Sequence, residues 1–181
     1  MKNPFITGKK LYLRSLAPED AEESYPHWLN DPEVCKYNSH YKFPYTRERA
    51  LDYIRHANST KNALILAVVD KSNDRHIGNV ALQEIDYISR NAEFAIIIGD
   101  KEYWGKGFGS EAASLIIDHG FRELNLHRIY CGTSEKNIGM QNLAVKIGMK
   151  QEGRRRQAIL TDGVLVDLIE YGVLKDEFPV E

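Results

Sequence analysis

The chain has 181 residues, 43% of them apolar and 28% charged, with a formal net charge of −2, which suits one globular domain around one core and excludes the clustered basic excess of a dedicated nucleic-acid binder. Cys35 and Cys131 lie far apart with no second cysteine at metal or redox spacing, so neither a disulfide framework nor a zinc site is expected. The N-terminus lacks a signal-peptide run, and the longest apolar stretch, residues 63–69, falls far short of the ~20 residues that span a bilayer; the expectation is one domain over 1–181, cytoplasmic, away from membranes and without metal.

Leu11-Tyr-Leu-Arg-Ser-Leu16 alternates as a strand does, and Ala17-Pro-Glu-Asp-Ala21 reads as a helix start with proline and acids in the first turn. A second helix is expected from Asp31-Pro32. Residues 25–45 are rich in aromatics (Tyr25, Trp28, Tyr37, Tyr41, Phe43, Tyr45) and could wall a pocket. Thr46 can cap a helix whose apolar stripe is Ala50, Leu51, Ile54 and Ala57, with Asn58 and Ser59 at its end. Residues 63–69, 77–85 and 92–98 read as consecutive antiparallel strands separated by turn clusters at 70–75 and 89–91.

A strong helix follows, with Ala112, Leu115, Ile116 and His119 on one face. Residues 128–133 then read as a strand, 138–147 as a short helix ended by Gly148, and two last strands turn at Asp162-Gly163. No repeat or linker divides the chain, and the order implies an α+β fold with a mixed sheet.

Between the third strand of the middle group and the strong helix stands Trp104-Gly-Lys-Gly-Phe-Gly-Ser-Glu-Ala112. Glycines there let a ligand approach the backbone, and the helix start offers free N–H groups, so the turn suits an anion. Its Gly-x-Gly-x-Gly spacing fits neither a P-loop nor the dinucleotide fingerprint.

The segment resembles the phosphate-binding signature Gln/Arg-x-x-Gly-x-Gly/Ala of the GNAT superfamily of N-acetyltransferases, with Gly107 and Gly109 at the glycine positions. Trp104 stands where Gln or Arg is usual, and the form with Trp resembles the RimJ/RimL-like branch, the ribosomal-protein alanine acetyltransferase type. Downstream, residues 137–149 resemble that branch's Asn-x-x-Ser-x-x-Leu-x-x-Lys-x-Gly-Phe pattern. Upstream, residues 11–14 and 28–34 resemble its opening strand and first helices.

The resemblance implies a GNAT fold: a mixed central sheet of about seven strands, helices on both faces, and a V-shaped split that holds the cofactor, acetyl-CoA. Its pyrophosphate would lie on Gly105, Lys106, Gly107, Phe108, Gly109 and Ser110 beside Trp104. The pantetheine arm would run along the strand containing Ile96, Ile97 and Ile98, with the N–H of Ile97 polarising the acetyl carbonyl and Asn137 bonding the arm from across the split.

An amine acceptor must lose a proton before it attacks. Glu93, opening an otherwise apolar strand where partial burial would raise its pKa, is the leading base, and Glu84 is the second. The alternative for Glu93 is a partner of Arg90 or Arg128. The tyrosine that relatives carry near the end of the last helix is Ala144 here and the signature serine is Met140, so no acid is assigned, with Tyr87 and Tyr103 as other sources. Cys131 reads as a packed strand residue rather than a nucleophile.

The acceptor is expected to be a small-molecule amine (amino sugar, polyamine or amino-acid derivative) taken up in a ternary complex, with Trp28, Tyr37 and Tyr87 as contacts. The alternatives are a peptide N-terminus or a non-catalytic module that holds acyl-CoA. A homodimer would be unsurprising.

Overall fold

In a computed structural model describing residues 1–22, 24–38 and 40–179, eight strands form one sheet in the order β1-β2-β3-β4-β5-β6-β8-β7. The strands are β1 (Ile6–Thr7), β2 (Leu11–Ser15), β3 (Leu64–Asp70), β4 (His76–Asp86), β5 (Asn91–Ile98), β6 (Arg128–Ser134), β7 (Lys150–Thr161) and β8 (Val164–Leu174). The eighth, unforeseen strand is β1, whose two residues pair with Leu13 and Tyr12. Neighbours pair antiparallel except β5 with β6, which run parallel.

The helices are α1 (Tyr25–Trp28), α2 (Arg47–Ser59), α3 (Phe108–Arg122) and α4 (Ile138–Lys146). Thr46 caps α2 by accepting the Arg49 N–H, and the stripe Ala50, Ile54 and Ala57 is buried while Leu51 sits at its rim. No helix starts at Asp31. Its carboxylate accepts the N–H groups of Glu33 and Val34, and residues 32–37 are turns; an Asp side chain that bonds backbone two residues on competes with a helix. The preceding Ala17-Pro18 signal produces one 3-10 turn, Pro18–Glu22.

Each face of the sheet carries its own core. On one side α3 and α4 cover Leu13, Val80, Leu82, Phe94 and Ile129; on the other the 3-10 turn, α1 and α2 cover Tyr12, Ala67, Val69 and Ala81. The buried side of α3 is Ala112, Ala113, Ile116, Ile117, Gly120 and Phe121, so the expected stripe is displaced by about one residue. Leu115 lies at the core's margin, and His119 stacks edge-on against Phe5.

Candidate active site

Strands β5 and β6 touch over three residue pairs alone: Asn91 with Arg128, Ala92 with Ile129 and Glu93 with Tyr130. Beyond them β5 keeps its ladder with β4 to Ile98 while β6 keeps its ladder with β8 to Ser134. The sheet therefore forks, and β5 presents an unpaired edge to the fork.

Backbone alternation decides which groups line that edge. In an antiparallel pair, successive residues direct their N–H and C=O to opposite sides. The N–H of Gly99 bonds Ile77 of β4, and the β4 register runs unbroken from Glu93 to Ile98. The odd-numbered residues thus face β4, and Phe94, Ile96 and Ile98 face the fork. Arg90, of the same parity, gives its carbonyl to the N–H groups of His127 and Arg128 at the start of β6. The N–H of Ile97, expected to polarise the acetyl carbonyl, is engaged in the ladder with Asn79; the donor on the fork side at this level belongs to Ile96.

At the mouth of the fork stands the glycine turn. Gly105 and Gly107 have φ of 70° and 85°, where a β-carbon is disfavoured. Gly107 is the N-cap of α3, and the first bond of that helix is Glu111 N–H to the Gly107 carbonyl. The N–H groups of Phe108, Gly109 and Ser110 have no backbone acceptor among the described residues, as expected of a first turn. Two lysines from distant segments converge on it: Lys10 Nζ donates to the Lys106 carbonyl at 3.1 Å, and Lys146 Nζ to Ser110 Oγ at 3.1 Å. Neither was visible in the spacing of the glycines. Trp104 donates its indole N–H to the Ile98 carbonyl at 2.7 Å and so closes the end of β5. Asn137 caps α4 by accepting the Met140 N–H through Oδ1, which leaves its Nδ2 hydrogens without an acceptor among the described residues.

At the fork's apex, Glu93 is half-buried and accepts a hydrogen bond from Gln83 Nε2 at 2.9 Å. The arginines that could have neutralised it are occupied elsewhere, Arg128 by Glu152 and Arg90 by Asn125. Glu84 is exposed with φ of 51° at the irregularity where β4 leaves register with β5. A bulge turns a side chain toward a site it would otherwise miss, and the negative charge of Glu84 is felt with that of Glu93 at Tyr130. Burial pushes the Cys131 thiol up to about 12, with help from the Glu93 charge, and its sulfur packs against Met149. Such a thiol is not a nucleophile at neutral pH.

The aromatic expectations need correction. Trp28 is 6% exposed, edge-on to His76 and pressed on Gly99, where a β-carbon would lie 2.0 Å from the indole; it is a core wall, not an open stacking surface. Tyr37 lies in the turns after α1 with Lys36 over its ring. Tyr87 sits in the β4–β5 turn, 58% exposed, its hydroxyl given to the Lys61 carbonyl. Tyr103 gives its hydroxyl to Asp70 and is not available as an acid. On β7, Arg154 pairs with Glu135 and Asp167, and Arg155 with Glu170.

Among the described residues no cluster of His, Cys, Asp and Glu could hold a metal, and no helix is long and apolar enough to cross a membrane.

A family model described as "Acetyltransferase (GNAT) domain" matches residues 10–150. The N-acetyltransferase p20 of Bacillus licheniformis is 33% identical over 94% of this chain and 96% of its own length. The spermidine N(1)-acetyltransferase of Vibrio cholerae is 31% identical over 94% of this chain and 96% of its own. The crystal structure of spermidine N-acetyltransferase from Vibrio cholerae in complex with CoA and spermine superposes with a TM-score of 0.84 at 27% identity, covering 94% of this chain and 98% of that one.

Proposed function

With the premise that the chain belongs to the GNAT acetyltransferase family and is an acetyl-CoA-dependent N-acetyltransferase, we propose that it acetylates a small, multiply charged amine of the polyamine kind by direct attack in a ternary complex. The observation that carries this is the fork: an unpaired strand edge runs from a glycine turn flanked by two lysines to a carboxylate at its closed end.

The chain's own groups fit the cofactor. The N–H groups of Phe108, Gly109 and Ser110, with Lys10 and Lys146 beside them and Lys106 in the turn, suit its pyrophosphate. The edge of Phe94, Ile96 and Ile98 suits the amide arm as an added strand, with the Ile96 N–H as the donor to the acetyl oxygen and Asn137 Nδ2 as a donor from α4. Acetyl-CoA supplies the acetyl group on a thioester. Glu93, on the face opposite α3, takes the proton that an ammonium must shed, directly or through one water. Glu84 adds a second carboxylate on that side, which favours an acceptor carrying more than one positive charge. Relatives named as spermidine acetyltransferases support this choice, and the Trp104 form of the turn supports the RimJ/RimL-like branch.

The test is an acceptor panel of polyamines, amino sugars, amino-acid derivatives and N-terminal peptides, followed by release of CoA thiol. Polyamines are expected to turn over fastest. Turnover of N-terminal peptides with inert small amines would replace this acceptor by a protein N-terminus.

A further inference from the structure

We propose that Tyr130 is the proton donor to the sulfur of the departing CoA, taking the part that Ala144 leaves vacant on α4; this rests on the acetyltransferase reading above. The chain has ten tyrosines, and six have hydroxyls committed to other groups: Tyr12 to Asp74, Tyr25 and Tyr45 to each other, Tyr87 to Lys61, Tyr103 to Asp70 and Tyr171 to Gln141. Of the remainder, Tyr37 and Tyr41 lie on the segment between α1 and α2 and Tyr53 on α2. Tyr130 alone stands on a strand of the fork.

Its position is the last point at which the two arms of the fork still touch, directly opposite Glu93. Its neighbours Ile129 and Cys131 belong to the core beneath α3 and α4, so by strand alternation Tyr130 projects to the other face, the face of Glu93. An arm entering from the glycine turn and running down the open edge of β5 brings its thioester toward this apex. The next residue of β6 on that face is Gly132, over which the Leu168 side chain of β8 lies, so β6 itself sends no side chain between Tyr130 and the mouth. The ring is steadied from behind by the Arg128 guanidinium, 5.4 Å from its centroid and itself fixed by Glu152.

The phenol also keeps its proton until it is needed. Burial, and then the charges of Glu84 and Glu93, raise its pKa above the ordinary value. Tyr130 gives its proton to the sulfur as the carbon–sulfur bond breaks and the electron pair settles there. It recovers a proton from the acceptor nitrogen, relayed through the Glu93 carboxylate, as the carbon–nitrogen bond forms. The proton that Glu93 took from the original ammonium passes to solvent before the amine attacks, so the carboxylate is free for this relay and no other reactant is required.

The test uses Tyr130→Phe, which deletes the hydroxyl and retains the ring against Arg128, with thermal melting to verify the fold. Calorimetry compares CoA with desulfo-CoA. The wild type should prefer CoA by about fivefold, the scale of one hydrogen bond, and the variant should bind the two alike. With the best amine of the panel, kcat should fall about a hundredfold, within the range of one general acid, while KM for acetyl-CoA stays within twofold, roughly the error of such comparisons. A variant that keeps both the sulfur preference and the wild-type kcat overturns the assignment. Failure of the wild type on every amine would instead sink the acceptor reading, and the calorimetric comparison would still decide Tyr130.

Discussion

Glu93 illustrates what a residue's neighbours add to its type. Its charge was visible in the sequence, but not that, among the described residues, Gln83 gives it its hydrogen bond while Arg90 and Arg128 are held by other groups. Glu93→Gln should therefore lower kcat by about a hundredfold, the usual contribution of a general base, and leave the calorimetric affinity for CoA unchanged; an equal loss of both would make it structural. Lys10 and Lys146 belong to the same scale. Each holds a fixed ammonium beside the helix start, so Lys10→Ala and Lys146→Ala should each weaken CoA binding by about 1 kcal/mol. Raising the ionic strength should shrink both losses, because exposed charges are screened. Identical affinities at low salt would remove the lysines from the cradle.

Among the elements, local signals succeeded where one side chain decides the outcome. Thr46 predicted the start of α2 and caps it; Thr46→Ala should cost about 1 kcal/mol, read by thermal melting, with no effect on CoA affinity. The expected helix at Asp31-Pro32 failed because the same residue type serves two ends, helix cap or turn, and the Asp31 carboxylate took the turn. The strands around β5 were legible from apolar runs between turn clusters. The fork was not. Nothing in the composition of β5 or β6 marks where pairing ends, since that depends on β8 drawing β6 away while β4 holds β5. The mistaken choice of Ile97 has the same origin, for the direction of a strand's N–H groups is set by its partner's register.

At the scale of the whole molecule, β2, the first 3-10 turn and β4 are tied together by one buried cluster. Arg14 reaches Asp20 with both terminal nitrogens, at 2.8 and 2.7 Å, and His76 Nδ1 lies 3.2 Å from the same carboxylate. Burial alone would raise the Asp20 pKa, yet the two bonds from Arg14, with His76 close beside the carboxylate, hold it well below the ordinary carboxylate range. A carboxyl whose folded pKa lies below its unfolded one adds stability above about pH 4, and that stability is lost as the pH falls further. The melting temperature should accordingly drop steeply below about pH 4. Asp20→Asn should be destabilised by about 3–5 kcal/mol at neutral pH, the cost of breaking a buried pair, and should show a shallower acid loss. A variant with the wild-type acid profile would mean the cluster is not what acid breaks.

The sequence by itself determined the order of the main strands and helices, the glycine turn at residues 105–110 and the family, because each is written in contiguous residues whose spacing or side-chain chemistry acts locally. Only the tertiary structure decided that Trp28 is wall rather than platform, that Lys10 and Lys146 flank the glycine turn, that the fork-side donors are those of Phe94, Ile96 and Ile98, and that Tyr130 shares the apex with Glu93. Those outcomes depend on which segments pair across many tens of residues. Strand register and burial are properties of the packed sheet, and no local pattern encodes them.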